Sequence, residues 1–252
     1  MIKIENLSKY YGEKAVVENV SFSLPTRKIT AFIGSNGAGK STLLSIISRL
    51  ISASEGIVRI DDLELSGWDT RELARRLAVL SQSTHFSIRL TVEDLVRFGR
   101  FPHSQGRLTE EDQAIVDQAL EYTGLTGLRK RFINELSGGQ RQTAYIAMAI
   151  AQDTKYILLD EPLNNLDMRR STQVMCLLRK LVEERGKTVV LVIHDINFVS
   201  FYADYIVALK DGRLRHFGPA EEIIKPEVLK DIYDMDIVVE NYGDRQICIY
   251  YE

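Results

Sequence analysis

The chain has 252 residues and a formal net charge of −3, from 32 lysines and arginines against 35 acidic residues. Apolar residues make up 45% and charged residues 27%, the ordinary mix of a soluble globular protein. This balance gives no sign of a broadly basic surface for nucleic acid, and no apolar run approaches the ~18 residues that span a bilayer. The two cysteines, Cys176 and Cys248, stand too far apart to indicate a disulfide framework or a zinc site, which favours a reducing compartment.

Short apolar segments beside turn residues open the chain. Residues 2–5, 17–24 and 57–60 lie close to Gly12 and Gly56, which predicts a small antiparallel sheet. Further along, the predicted buried strands are 29–33, 77–80, 156–160, 188–193 and 205–209, and the predicted helices between them are 40–50, 168–184 and 197–202. Buried strands separated by helices predict a parallel sheet covered on both faces.

Helix signals replace strand signals between residues 91 and 151. Thr91 is followed three residues later by Asp94, and Thr109 by Asp112, which are acidic variants of the pattern that caps helix N-termini. Ser137 stands before another run of helical periodicity. We therefore expect a helical segment inserted into an α/β core.

Residues 34–41, Gly-Ser-Asn-Gly-Ala-Gly-Lys-Ser, match the phosphate-binding P-loop pattern in full, between a predicted strand and a predicted helix. The glycines let the backbone turn tightly and bring its N–H groups close to phosphates. The following helix directs the positive end of its dipole at the same anion. Lys40 is suited to contact the β- and γ-phosphates, and the Ser41 hydroxyl is suited to ligate Mg²⁺.

Two carboxylates, Asp160 and Glu161, follow the predicted strand 156–160. They are expected at the C-terminal edge of the sheet, where α/β proteins bind ligands. Asp160 is suited to hold Mg²⁺ through water, because this ion keeps much of its hydration shell. Glu161 is suited to orient or deprotonate an attacking water.

Residues 136–140, Leu-Ser-Gly-Gly-Gln, place an N-cap serine and two glycines at the start of a helix. Such a start is a second anion site with exposed backbone N–H groups, which suggests that the γ-phosphate is contacted from two sides, within one chain or by two chains. With this motif the sequence resembles the nucleotide-binding domain of ATP-binding-cassette (ABC) transporters over essentially its whole length, since LSGGQ is that family's signature.

The resemblance implies further roles. Tyr11, with Tyr10 as a competitor, matches the aromatic residue that stacks on adenine, and Gln82 matches the glutamine that reaches Mg²⁺ and the attacking water. Asp167 lies in the loop that crosses the dimer interface, and His194 matches the histidine that contacts the γ-phosphate. The predicted catalytic residues are Gln82, Glu161 and His194; the predicted metal ligands are Ser41, Gln82 and Asp160; the predicted nucleotide-binding residues are Tyr11, Gly34, Ser35, Asn36, Gly37, Ala38, Gly39, Lys40, Ser41, Thr42, Ser137, Gly138, Gly139, Gln140 and Asp167.

The fold implied by the resemblance is one ABC ATPase domain over residues 1–252. An α/β P-loop NTPase core with a parallel sheet and a small antiparallel β subdomain would occupy residues 1–82 and 156–252, with a helical subdomain inserted at 83–155. ATP and Mg²⁺ are the implied cofactors. Two copies are expected to close head to tail as a homodimer, with each ATP between residues 34–41 of one chain and 137–140 of the other.

The partners implied are integral membrane permease subunits and an extracytoplasmic substrate-binding protein, with no nucleic acid. The chain would then be peripheral on the cytoplasmic face of the membrane, and residues 82–107 would receive the permease.

The sequence is most similar to the ATPases of importers for ferric siderophores, haem and cobalamin. This resemblance lies in residues 91–102, 108–112, 194–197, 202–204 and 208–212, and in the tail through 217–233. We expect ferric siderophore uptake first, and haem or cobalamin next.

Other classes remain as alternatives. A soluble cassette ATPase without a transport role, such as an iron–sulfur-assembly type, has a similar length. The LSGGQ motif argues against a P-loop kinase or GTPase. A catalytically silent binding module is disfavoured by the presence of Lys40, Asp160, Glu161 and His194.

Overall fold

The computed structural model describes residues 1–81, 89–243 and 245–251. The chain divides into two compact units, Met1–Trp68 with Thr188–Glu252, and Asp69–Lys187. The helical subdomain predicted at 83–155 lies within the second unit, which also contains two strands and a long helix. In the described part of the chain, every helix is too short or too polar to span a bilayer.

The first unit opens with an antiparallel sheet. The elements of residues 1–68 are β1 (Ile2–Tyr11), β2 (Lys14–Leu24), β3 (Ile29–Ile33), α1 (Lys40–Ile47), β4 (Glu55–Ile60) and β5 (Leu63–Glu64). The sheet order is β2-β1-β4-β5, and Ile2 is paired with both Leu24 and Ile60. The predicted antiparallel sheet is therefore confirmed. Its first strand continues to Tyr11 because a register shift near Asn6, whose φ is 49°, interrupts the apolar alternation without ending the ladder.

Helix α1 ends three residues before the predicted limit. Ser48 caps it, and Arg49 has a left-handed φ of 59°. The Arg49 guanidinium donates to the Trp68 carbonyl at 2.7 Å, which fixes the turn. This tertiary hydrogen bond has no signature in the local sequence.

The second unit combines two strands with six α-helices among its described residues. Its elements are α2 (Thr70–Arg76), β6 (Leu77–Leu80), α3 (Val92–Phe98), α4 (Phe101–Ser104), α5 (Glu110–Tyr122), α6 (Gly138–Ala151), β7 (Tyr156–Asp160) and α7 (Met168–Arg185). Strands β6 and β7 are parallel, with Leu80 opposite Leu159. The predicted caps are confirmed, because Thr91 with Asp94 and Thr109 with Asp112 both form reciprocal capping boxes.

The remainder of the first unit contains a parallel sheet and a C-terminal hairpin. Its elements are β8 (Thr188–Val192), α8 (Ile196–Tyr202), β9 (Tyr205–Lys210), β10 (Arg213–Pro219), α9 (Ala220–Ile223), α10 (Pro226–Tyr233), β11 (Val238–Tyr242) and β12 (Arg245–Ile249). Within this unit β3 is parallel to β8 and β9, and β10 is an antiparallel addition to β9. Every residue of β3 and β8 is buried, as expected for central parallel strands.

Candidate nucleotide-binding and catalytic site

The loop 34–39 connects the buried strand β3 to α1, so the predicted strand–loop–helix context is present. Gly34 and Gly39 have φ values of 137° and 97°, which side chains rarely tolerate. A Cβ at Gly34 would lie 2.0 Å from the Leu209 carbonyl oxygen, and one at Gly39 would lie 2.5 Å from the Val16 carbonyl oxygen. Both positions therefore require glycine for the loop to pack against its neighbours.

The charge of the loop is concentrated at Lys40, the first residue of α1. Its side chain is folded over the loop, because Nζ donates to the Gly34 carbonyl at 2.8 Å and to the Ser35 carbonyl at 2.9 Å. The first turn of α1 contains no acidic residue, so the positive end of its dipole is not neutralised locally. The other predicted nucleotide-binding residues differ in exposure. In the loop, Ser35, Asn36 and Gly37 are exposed and Ala38 is buried. In the first turn of α1, Ser41 and Thr42 are half-buried.

His194 lies at the same edge of the sheet as this loop. In the parallel pair β3–β8, Phe32 is opposite Val192, and the Ile193 N–H donates to the Phe32 carbonyl at 3.3 Å. Gly34 lies two residues after Phe32, and His194 lies two residues after Val192. The His194 side chain is exposed at this edge, as the sequence analysis expects of a residue that contacts a ligand.

Tyr11 is 55% exposed at the end of β1, beside the turn that leads into β2. Lys9 Nζ lies 5.3 Å from the centre of its ring, within cation–π distance. Tyr10 is less exposed, at 36%. Because β2 also carries Val16, which touches the position of Gly39, the β1–β2 hairpin adjoins the phosphate loop.

The two predicted carboxylates end strand β7 in the second unit. Asp160 is 6% exposed, and Glu161 turns out of the strand with a left-handed φ of 50°. The Asn164 side-chain amide donates to a Glu161 carboxylate oxygen. Strand β6 runs parallel to β7 and ends at Leu80, opposite Leu159. The predicted site residue Gln82 lies outside the described residues, so its placement stays a prediction.

The signature segment forms the predicted helix start. Ser137 caps α6: its Oγ accepts from the Gln140 N–H at 3.3 Å, and its own N–H donates to Gln140 Oε1 at 3.1 Å. Ser137 and Gly138 are exposed and Gly139 is buried. A Cβ at Gly139 would lie 2.7 Å from Nη1 and 2.9 Å from Cδ of Arg170. The helix start is therefore open on one side and closed by Arg170 on the other.

Asp167 belongs to the same cluster. Its carboxylate caps α7 by accepting from the Arg170 N–H at 2.8 Å and lies 3.5 Å from Arg170 Nε. Arg170 in turn donates to Ser137 Oγ at 3.2 Å. The structure thus brings Asp167 and the signature segment together through an arginine that the sequence analysis did not single out. The sequence does place Arg170 three residues after the N-cap residue Asp167, and this spacing could have indicated a contact between the two. The spacing does not indicate the contact of Arg170 with Ser137.

Comparison with known proteins identifies the class. The family model described as "ABC transporter" matches residues 17–164. The chain belongs to the ABC transporter family and is an ABC ATPase that binds ATP.

Individual relatives resemble it over nearly their whole length. The chain is 55% identical over 251 residues to the petrobactin import ATP-binding protein YclP of Bacillus subtilis (strain 168), covering 100% of both proteins. It is 46% identical over 245 residues to the petrobactin import ATP-binding protein FatE of Bacillus anthracis, covering 96% of this chain and 98% of the relative. Among solved structures, it superposes with a TM-score of 0.78 and 32% identity on a dimeric ATP-binding cassette in a post-hydrolysis state bound to ADP and Pi, covering 87% of this chain and 99% of that one.

Proposed function

We propose that this chain is the ATP-hydrolysing subunit of an importer for a ferric siderophore, acting as a homodimer beneath a separate membrane permease. The observation that carries the proposal is the full-length 55% identity to a petrobactin import ATP-binding protein. Petrobactin or a chelate of similar shape is therefore the first candidate cargo.

In the proposed mechanism, residues 34–41 bind the phosphates of ATP. The backbone N–H groups of the loop and the positive end of α1 favour the anion. Lys40, which bridges two carbonyls of its own loop, is placed to exchange them for the β- and γ-phosphates. Tyr11, exposed on the adjoining hairpin, is proposed to stack on adenine.

We retain Ser41, Gln82 and Asp160 as the proposed ligands of Mg²⁺. Hydroxyl, amide and carboxylate oxygens are the hard donors that this ion prefers, and they leave room for water and phosphate oxygens. Bound there, Mg²⁺ would supply charge neutralisation of the phosphates.

Hydrolysis is assigned to Glu161 as the base that orients and deprotonates water. The left-handed backbone at Glu161 directs its side chain away from the line of the strand, and Asn164 holds one carboxylate oxygen. His194, exposed at the edge that also carries residues 34–41, is proposed to contact the γ-phosphate. Gln82 is proposed to complete the water site.

The exposed signature segment supports a composite site made by two chains. Ser137 and Gly138 are exposed at the start of α6, where a partner's nucleotide can reach the N–H groups. Gly139, Gln140 and Asp167 are proposed to complete this half-site. Two chains that exchange the same pair of surfaces form a closed two-fold dimer, and its closure couples ATP binding to motion.

The proposed partners are permease subunits and an extracytoplasmic substrate-binding protein, with this chain on the cytoplasmic face of the membrane. The described part of the expected docking surface exposes two aromatic side chains, Phe98 at 48% and Phe101 at 60%. Exposed aromatic residues in one short segment suit a protein interface.

The test is uptake of iron from defined chelates. Deleting the gene in its host should abolish accumulation of radiolabelled iron from petrobactin and slow growth in iron-poor medium. A plasmid copy of the wild-type gene should restore uptake, whereas a matched copy with Glu161→Gln should not. Unchanged uptake from petrobactin and from a panel of hydroxamate and catecholate siderophores would reject the cargo. Loss of haem or cobalamin uptake instead would assign that compound as the cargo. Defective iron–sulfur enzymes with normal uptake would favour the alternative of an iron–sulfur-assembly ATPase.

A further inference from the structure

A cleft opens between α5 and α7, beside the signature segment. Its volume is about 860 Å³, and sites that hold small organic ligands have volumes of roughly 300–1,000 Å³. The end of α5 and the turns that follow it form one wall, and α7 forms the other. All of the lining residues belong to the second unit. The cleft is therefore large enough for a small molecule.

The deeper part of the cleft is apolar and its rim is polar. Leu125, Val174 and Leu177 line it and are buried. Gln118 and Gln173 line it as well and are exposed. This combination suits an occupant with an apolar body and a polar end, because the body leaves water while the polar end keeps hydrogen-bonding partners.

Cationic side chains outnumber acidic ones in the lining. Arg170 and Lys180 project from α7, and Glu121 lies on the α5 wall. The charge of Arg170 is offset by the Asp167 carboxylate, 3.5 Å from its Nε. Lys180 is exposed and makes no ion pair in the part of the chain that the structure describes. The polar end of an occupant is accordingly expected to be anionic and to lie against α7.

One end of the cleft is formed by side chains that shape the signature segment. Gln140, Thr143 and Arg170 all line it. Gln140 Oε1 accepts from the Ser137 N–H at 3.1 Å, and Arg170 Nη1 donates to Ser137 Oγ at 3.2 Å. Thr143 Oγ1 donates to the Gly139 carbonyl at 2.8 Å. An anion that draws Arg170 toward the cleft would therefore remove a contact from the start of α6.

We propose that this cleft binds small organic anions with an apolar body, such as arylsulfonates and medium-chain carboxylates, and that its occupation slows ATP hydrolysis by drawing Arg170 away from Ser137. The inhibition rests on the proposed role of the signature segment at the partner's nucleotide. The binding itself depends only on the shape and charge of the cleft.

Two probes of matched shape test the binding in the full-length chain. One is 8-anilinonaphthalene-1-sulfonate, and the other is N-phenyl-1-naphthylamine, which has the same rings without the sulfonate. Fluorescence titration at saturating nucleotide gives both Kd values. Lys180→Glu should raise the Kd of the sulfonate about three- to tenfold, the range for reversing one exposed charge, and leave that of the neutral probe within about twofold. Lys130→Glu, at an exposed position of the same unit outside the cleft, should change neither.

Cys176 locates the bound probe. It lines the cleft and is exposed, whereas Cys248 is buried. Sulfonatoethyl methanethiosulfonate forms a disulfide with the Cys176 thiol and releases methanesulfinate, which leaves an anionic group in the cleft. This label should abolish binding of the sulfonate probe and slow phosphate release without changing the Kd for ATP. The same reagent should have neither effect on Cys176→Ser.

The binding and the inhibition fail separately. Equal Kd values for the sulfonate in the wild-type chain and in Lys180→Glu would overturn the proposed site, as would undiminished binding after Cys176 is labelled. Normal phosphate release from the labelled chain would overturn the inhibition, provided that Gly139→Ala abolishes hydrolysis. If Gly139→Ala also hydrolyses ATP normally, the proposed role of the signature segment is wrong, and the two probes still decide whether the cleft binds anions.

Discussion

Arg170 and Ser137 are joined through their side chains, with Arg170 Nη1 donating to Ser137 Oγ at 3.2 Å. The same oxygen accepts from the Gln140 N–H, so one hydroxyl both caps α6 and contacts α7. The Arg170 side chain crosses the position where Gly139 has no Cβ. The geometry of the signature segment therefore depends on a glycine next to an arginine.

Gly139→Ala should abolish ATP hydrolysis and spare ATP binding to the monomer. The added Cβ would displace Arg170, whose Cδ lies 2.9 Å from that position, and would disturb the Ser137 cap. Because this half-site is proposed to serve the partner's nucleotide, mixing Gly139→Ala chains with Lys40→Ala chains should restore part of the activity, through dimers that retain one intact composite site. Absence of any rescue on mixing, measured as phosphate release, would show that each site is built within one chain.

Lys40→Ala should lower ATP affinity about 10- to 100-fold, the range for losing a charge-assisted contact, and turnover should fall with it. Fluorescent-nucleotide titration measures the affinity. Lys28→Ala is the matched control, since Lys28 is an exposed lysine of the same unit, paired with Asp204 at 3.6 Å. Equal affinities in the two variants would contradict the assignment of Lys40.

Glu161→Gln should retain ATP binding and lower turnover about 10²- to 10⁴-fold, because the amide keeps the shape of the side chain but cannot act as a base. The variant should accumulate as an ATP-bound dimer, which size-exclusion chromatography with light scattering detects. Glu183→Gln, at an exposed position of α7, controls for the loss of one charge. Normal turnover in Glu161→Gln would mean that another group is the base.

Asp112→Asn should destabilise the second unit by about 3–5 kcal/mol, because it leaves the buried charge of Arg100 without its partner. Arg100 Nε lies 2.9 Å from Asp112 Oδ1, and both side chains are 7% exposed. The control is Asp94→Asn, which alters an equivalent capping box whose aspartate is 45% exposed and should cost about 1 kcal/mol. Urea unfolding of both variants at neutral pH gives the comparison, and equal losses would contradict a special role for the buried pair.

The same pair predicts a pH dependence. Burial opposes ionisation of Asp112, but the hydrogen bonds from the Thr109 backbone and from Arg100 outweigh it and hold the pKa of the carboxyl below its ordinary value. Since the pKa is lower in the folded chain, this stabilisation is present above about pH 4 and is lost as the pH falls through the folded-state value. In Asp112→Asn, the free energy of unfolding should therefore decrease less steeply with falling pH than it does in the wild-type chain.

The local sequence was sufficient for the elements with strong, short-range signals. The P-loop, the capping serine and threonines, and the buried strands β3, β7 and β8 were all predicted, because glycine spacing, N-cap chemistry and continuous apolar runs act within a few residues. The family could be identified for the same reason, since its motifs are contiguous.

Only the tertiary structure decided how distant segments support these motifs. The contacts of Arg170 with Ser137 and of Asn197 with Cys248 join residues 33 and 51 positions apart. A hydrogen bond between such residues leaves no periodicity or composition signal in the chain, because each partner alone is an ordinary polar side chain. The sequence by itself therefore determined which loops are predicted to bind phosphate, whereas the fold determined which side chains hold those loops in place.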